Sequence, residues 1–178
     1  MARVKVLDKE FETSIPEASI LKSIEQVADK MNKDLADKDP LMVCVLNGAF
    51  MFAADLMKNL SFPCQISFVK VASYSGTSST GTIKHLIGLN EDIAGRTVVL
   101  IEDIVDTGIT IMGLKAQVLG MGAKEVKIAT MLFKPESCTK ELVPDYVGMS
   151  IPNDFIIGYG LDYDGYARNL RDIYTLVK

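Results

Sequence analysis

Residues Val98 to Thr110 read Val-Val-Leu-Ile-Glu-Asp-Ile-Val-Asp-Thr-Gly-Ile-Thr, an apolar run that passes directly into acids, a glycine and two hydroxyls. The unbroken apolar character of Thr97 to Ile101 suits a central parallel strand covered on both faces, so the polar residues that follow emerge at its carboxyl end. Ligands bind at such ends in open α/β sheets. This junction constrains both the architecture and the place where chemistry happens.

Thr107, Gly108 and Thr110 open a helix expected to begin near Ile109, whose free backbone N–H groups and positive dipole end suit a phosphate. Gly108 permits a close backbone approach. Glu102 and Asp103, ionised, are acceptors only, which fits sugar hydroxyls or a hydrated magnesium ion better than bare phosphate. Asp106 lies between the two and can accept a proton from a reacting group. Taken singly, each residue has a plainer explanation: Asp106 or Thr107 can cap a helix, and Glu102 with Asp103 can be a solvated strand end. Apolar strand, paired acids, Asp-Thr-Gly and a second threonine within one turn form a much rarer conjunction. Together they resemble the phosphoribosyl pyrophosphate (PRPP) binding motif of type I phosphoribosyltransferases.

A chain of 178 residues, 48% hydrophobic and 24% charged, has enough apolar material for one substantial core and needs no second domain. A net charge of -4 and a pI near 5.0 argue against a general nucleic-acid surface, so substrate phosphates must be held by local groups. Cys44, Cys64 and Cys138 are odd in number, widely spaced and without a Cys-x-x-Cys pair, as expected of reduced thiols. The amino terminus carries no signal-peptide apolar region and no run approaches a membrane span, which makes the cytoplasm the expected location. His85 is the only histidine, so a multi-histidine zinc site is excluded and a Ser-His-Asp triad has one possible member. Acid and base work falls mainly to carboxylates.

Strand and helix patterns alternate along the chain. Val4 to Leu7 reads as a short strand, and Pro16-Glu17 opens a helix to about Leu35 with the apolar stripe Ile20, Ile24, Val27, Met31 and Leu35. Leu41 to Leu46 is a second buried-strand pattern and turns at Asn47-Gly48 into a helix through about Leu60. Gln65 to Ser73 and Ile83 to Leu89 read as extended on either side of a small, polar Ser/Thr/Gly stretch, and Val126 to Phe133 is a strand that delivers Lys134-Pro135-Glu136. This order implies an α/β fold with a doubly wound, mainly parallel sheet and right-handed crossovers. The expected organisation is a single domain over 1–178, with a core of about 37–142 and a small cap built from about 1–15 and 143–178, where Tyr146 to Met149 and Phe155 to Leu161 would be short strands.

A second group of residues follows the last core strand. Lys134 sits where a sheet delivers side chains to its ligand edge, and its ammonium can donate to a carbonyl oxygen. Phe155 offers an aromatic face, Asp162 an acceptor for a divalent cation and Arg168 a partner for phosphate. Each alone is equally an ordinary surface lysine, core phenylalanine, turn residue or surface ion pair. Taken together, Lys134-Pro135-Glu136, Pro144-Asp145-Tyr146-Val147-Gly148, Ile151-Pro152, Phe155-Ile156-Ile157-Gly158-Tyr159 and Leu161-Asp162-Tyr163 through Arg168 resemble the carboxyl-terminal half of hypoxanthine-guanine phosphoribosyltransferases. Leu46-Asn47-Gly48-Ala49 resembles that family's pyrophosphate loop, and Ser73-Tyr74 its mobile active-site loop. Two departures stand out: Asn47 and Ile109 occupy positions where many members carry lysine, which removes a side-chain charge but leaves main-chain N–H groups to bind the anion.

The resemblance implies magnesium-dependent transfer of the 5-phosphoribosyl group from PRPP to N9 of hypoxanthine or guanine, giving IMP or GMP and pyrophosphate, by a homodimer or homotetramer without nucleic-acid or membrane partners. It implies that Glu102 and Asp103 hold the ribose hydroxyls, that Asp106, Thr107, Gly108 and Thr110 surround the 5-phosphate with Asp106 as general base, and that Asn47, Gly48 and Arg168 bind pyrophosphate. Lys134 would meet the 6-oxo group, Phe155 would stack on the base, and Ile156 and Asp162 would read its other edge. Asp162, Glu102 and Asp103 would serve the metal. Competing readings are a xanthine-preferring enzyme of the same fold and a PRPP-sensing regulator that binds nucleic acid.

Overall fold

The computed structural model describes residues 2–71, 86–138 and 142–177. In chain order its elements are β1 (Arg3–Val6), β2 (Lys9–Ile15), α1 (Glu17–Leu35), β3 (Leu41–Leu46), α2 (Phe50–Asn59), β4 (Gln65–Val71), β5 (Leu86–Ile87), β6 (Thr97–Val105), α3 (Ile109–Gly120), β7 (Glu125–Phe133), β8 (Tyr146–Ser150), β9 (Ile156–Ile157) and β10 (Ile173–Leu176). The larger sheet runs β5-β4-β3-β6-β7-β8; all its pairings are parallel except β4 with β5. The smaller sheet, β1-β2-β10-β9, is antiparallel throughout.

Period-two alternation explains why β3 and β6 sit at the centre. Met42 and Cys44 on β3, with Val99 and Ile101 on β6, face α1 and α2, whose stripes Ile20, Ile24, Val27, Met31, Leu35 and Phe52, Ala53, Leu56 fill that side. Leu41, Val43, Val98 and Leu100 face the other way, against Ile111, Leu114 and Val118 of α3 and against Ile128 of β7. Every residue of both strand segments is buried, so helices must cover both faces, as the apolar runs require. The doubly wound, mainly parallel α/β architecture read from the sequence is the one observed. Cys44 lies in this core, where burial pushes its thiol up to about 12. No disulfide joins the described cysteines.

Three assignments need correction. Tyr146 to Met149 was expected in the cap, but β8 pairs in parallel with β7 and closes the edge of the core sheet; the buried Tyr146 hydroxyl donates to Asp34 of α1 at 3.2 Å. Glu102 and Asp103 were expected beyond the strand, but β6 continues through Val105, with Glu102 opposite Thr130 and Val105 opposite Phe133. The small sheet contains two strands that the apolar pattern did not reveal, β2 and β10. Of the seven residues of β2 only Phe11 is fully buried, so too little periodicity exists to mark it, and its partner β10 arrives from the opposite end of the chain.

The small sheet has its own apolar cluster of Val6, Phe11, Ile157 and Ala167, and hydrogen bonds tie it to the core. The Glu17 N–H at the start of α1 donates to Asp172 Oδ1 at 2.8 Å, and the Tyr159 hydroxyl donates to Asp55 Oδ2 of α2 at 2.6 Å.

Packing of α1 gives the first test. Met31→Ala and Ile24→Ala should each cost about 2–5 kcal/mol in urea denaturation, because both side chains are fully buried, while exposed Lys30→Ala should stay within about 0.5 kcal/mol.

Candidate active site

Three neighbouring strands end at one place. β3 delivers Asn47 and Gly48, β6 delivers Glu102 and Asp103 and then the Asp106 to Thr110 turn, and β7 delivers Lys134, whose backbone N–H donates to the Val105 carbonyl at 2.9 Å. The chain could not bring these residues together at any other edge, because parallel strands put all their carboxyl ends on one side.

The acidic pair is enclosed. Glu102 Oε2 is buried and, among the described residues, has no hydrogen-bond partner. Burial first, and then the adjacent Asp103 charge, holds the Glu102 carboxyl well above the ordinary glutamate range. Burial also raises Asp103, opposed by its hydrogen bond with Glu102, by the Ile104 N–H at 2.8 Å and by the charge of Arg168. A side chain at Gly48 would occupy the position of the Asp103 carboxylate, and one at Gly160 would collide with the Gly48 carbonyl oxygen. The Asn47–Gly48 segment, the acidic pair and the turn after β9 therefore pack backbone to side chain with no space between them. The Leu46–Asn47 peptide in this loop is cis, and the Asn47 side chain is exposed.

Arg168 joins the same region from the cap side. Its guanidinium donates to the Gly160 carbonyl at 2.8 Å and pairs with Asp162 Oδ1 at 2.7 Å, while Asp162 Oδ2 accepts the Gly165 N–H at 2.7 Å. Both Asp162 oxygens are thereby engaged. Among the described residues no three potential metal-ligating side chains gather in one place, so Asp162 does not join Glu102 and Asp103 in a cage. A buried, unpartnered acceptor at Glu102 beside a second carboxyl fits a magnesium ion all the same, since that ion is commonly held by one or two carboxylates plus substrate oxygens.

The turn beyond β6 leads into α3. Gly108 precedes the helix with φ +81°, a left-handed conformation that glycine adopts freely, and a Cβ there would come within 2.6 Å of Leu142. Gly108 is therefore favoured by its backbone conformation, since the Leu142 side-chain end that a Cβ would meet can shift. The Thr107 hydroxyl accepts the Ile109 N–H at 3.4 Å, and Thr107 and Thr110 are exposed at the helix start. The Asp106 carboxylate, half exposed, meets the Lys134 ammonium at 3.1 Å; the Lys134 side chain is only 8% exposed.

A scan of protein families matches the phosphoribosyl transferase domain over residues 15–164. Hypoxanthine-guanine phosphoribosyltransferase of Streptococcus thermophilus is 43% identical over 152 residues, 85% of this chain and 84% of its own, and that of Lactococcus lactis is 38% identical over 93% and 91%. A crystal structure of hypoxanthine phosphoribosyltransferase from Staphylococcus aureus superposes with a TM-score of 0.84 at 34% identity, covering 93% of this chain and 92% of that one. The hypoxanthine-guanine enzyme of Bacillus anthracis, solved with HEPES in its active site, gives 0.83 at 33%, covering 94% and 97%. The chain belongs to the hypoxanthine-guanine phosphoribosyltransferase family.

In this phosphoribosyltransferase Phe155, expected to stack on the base, lies on the segment between β8 and β9. Phe155 is 46% exposed, with Tyr163 edge-on to it at 5.8 Å and Phe11 at 6.1 Å, so one part of the ring is supported and another is free. Ile156 belongs to β9 and pairs with Thr175. Ser73, Tyr74 and His85 lie outside the described residues. Sequence reasoning missed Asn153, whose Oδ1 accepts from the Lys134 ammonium at 3.3 Å, and Tyr163 as the support of Phe155. An asparagine after Ile151-Pro152 reads simply as a turn, and nothing local connects it to Lys134.

The enclosed acids give the second test. A carboxyl held above its ordinary value contributes stability that is complete below the unfolded glutamate pKa and is lost as pH rises through the raised one. Glu102→Gln is neutral at every pH, and its amide can donate to Asp103. It should raise the Tm of the ligand-free protein at pH 7.5 by about 2–4 °C while weakening PRPP binding, measured by scanning calorimetry and isothermal titration.

Proposed function

We propose that this protein salvages purines by transferring the 5-phosphoribosyl group of PRPP to N9 of hypoxanthine or guanine, forming IMP or GMP and releasing pyrophosphate. The observation that carries this reading is the Lys134–Asp106 pair at 3.1 Å. An oxopurine presents O6, an acceptor, beside N7, which carries a proton in the tautomer whose N9 lone pair is nucleophilic. A buried ammonium next to a more open carboxylate offers the complementary donor and acceptor at matching separation. Adenine would place its amino group against the ammonium, donor against donor, and buried mismatches of that kind are rejected strongly.

In this reading the 5-phosphate sits on the N–H groups of Thr107 to Thr110, where the dipole of α3 and the hydroxyls of Thr107 and Thr110 favour an anion. Glu102 and Asp103 accept the ribose hydroxyls. Magnesium, when bound, neutralises pyrophosphate charge and so improves the leaving group; Glu102 and Asp103 would hold it, with Asp162 turned toward Arg168 unless that pair opens. Asn47 and Gly48 offer main-chain N–H groups to the departing pyrophosphate, and Arg168 supplies positive charge nearby. As the C1′–oxygen bond breaks and the sugar gains positive charge, N9 forms the new bond and Asp106 accepts the N7 proton. Phe155 stacks on the base, and main-chain groups of Ile156 and Asp162 meet its far edge.

The enzyme works in the cytoplasm as a homodimer or homotetramer on small-molecule substrates; among the described residues no helix is long and apolar enough to cross a membrane. A spectrophotometric assay with PRPP, magnesium and each purine in turn should give nucleotide from hypoxanthine or guanine and little from adenine. Nucleotide from no base would remove the enzyme reading, and preference for xanthine would replace the substrate. Asp106→Asn should keep PRPP affinity and lose roughly a hundred- to ten-thousand-fold in turnover.

A further inference from the structure

Lys134 is a buried cation whose three N–H donors must all find acceptors. Among the described residues two of them do: Asp106 Oδ2 at 3.1 Å and Asn153 Oδ1 at 3.3 Å. Asn153 comes from a different part of the chain, the turn after β8. The Ile151 N–H donates to the Phe133 carbonyl at 2.9 Å, which ties that turn to the end of β7 one residue before Lys134, and the Asp154 N–H closes on the Pro152 carbonyl at 2.9 Å. Two residues past Asn153 the same turn presents Phe155. One short segment therefore carries both the ring expected to stack on the purine and an acceptor for the ammonium expected to read its edge.

We infer that Asn153 is a positioning residue for purine recognition, holding the Lys134 ammonium on line with the 6-oxo group. The inference rests on the reading that Lys134 meets that group. Its logic is electrostatic. Asp106 is a charged acceptor and binds the ammonium when the site is empty, but once Asp106 takes the N7 proton its carboxyl is neutral and its hold on Lys134 weakens. Asn153 takes no part in the proton transfer, so its oxygen gives the ammonium a constant second anchor. Two anchored donors leave the third N–H with a defined direction. Asn153 itself is exposed, so replacing it leaves no buried group of its own unpaired.

The test is steady-state kinetics on the intact enzyme, with each substrate varied in turn. Asn153→Ala should raise KM for hypoxanthine and guanine roughly tenfold, the loss of one charge-assisted hydrogen bond, with KM for PRPP and the Tm unchanged and discrimination against adenine reduced. Asn153→Asp, which keeps the acceptor oxygen, should restore purine KM. Lys134→Met should raise purine KM at least as far, and Lys134→Met with Asn153→Ala should be no worse than Lys134→Met alone. If Lys134→Met raises purine KM but Asn153→Ala does not, the positioning role is overturned while the function stands. If Lys134→Met leaves oxopurine KM unchanged, the assignment of Lys134 fails and the inference falls with it. A parallel rise in PRPP KM, or no rescue by Asn153→Asp, would reduce Asn153 to a general structural residue.

Discussion

Two carboxyl groups held inside the middle strand of a hydrophobic sheet set the terms for everything around them. Glu102 and Asp103 lie within β6, where ordinary packing would put apolar side chains, at the point where the pairing with β3 stops after Ile101 while that with β7 runs on to Val105. Asp103 is stabilised by the Ile104 N–H and by the charge of Arg168, while Glu102 keeps a buried oxygen without a partner among the described residues. An unsatisfied buried acceptor costs on the order of 1–3 kcal/mol, a cost that a protein keeps only where binding needs it. On the proposed role of these acids in holding sugar hydroxyls, the site carries this cost in its empty state.

Close approach follows from the same enclosure. The Asp103 carboxylate occupies the space where a residue at position 48 would carry its Cβ, and the Gly48 carbonyl occupies the corresponding space at position 160. Glycine at both points lets the loop after β3 and the turn after β9 close on the acids, which brings Arg168 and Asp162 to the core side of the cap. The cap is thus a wall of the site. Its aromatic cluster of Phe11, Phe155 and Tyr163 extends that wall with the ring assigned to the base.

Much of the fold was legible because its centre is apolar on both faces. β3 and β6 carry continuous hydrophobic runs, β7 a largely apolar one and α1 a stripe at helical spacing, and these signals depend only on local sequence. The edges were less legible. β2 and β10 bury few side chains, and their strand character comes from hydrogen bonds between segments about 160 residues apart, on which local periodicity is silent. β8 was recognised as a strand but not as part of the core, since which sheet a short strand joins depends on the edge left open beside β7.

The same division holds for the site. The run from Glu102 to Thr110 announces itself in sequence because strand end, acids, glycine and hydroxyls are contiguous, as their proposed role around one phosphorylated sugar needs, and contiguity is what a sequence displays. Pairings between distant segments are invisible there. The contact of Lys134 with Asp106, the second acceptor at Asn153 and the ion pair of Arg168 with Asp162 exist only once parallel strands end at one edge and the cap folds over them. Residue types and local order therefore determined which chemistry this chain can perform. The tertiary structure decided which groups face one another, because hydrogen bonds and charge pairs depend on distances of a few ångströms that only the packed fold sets.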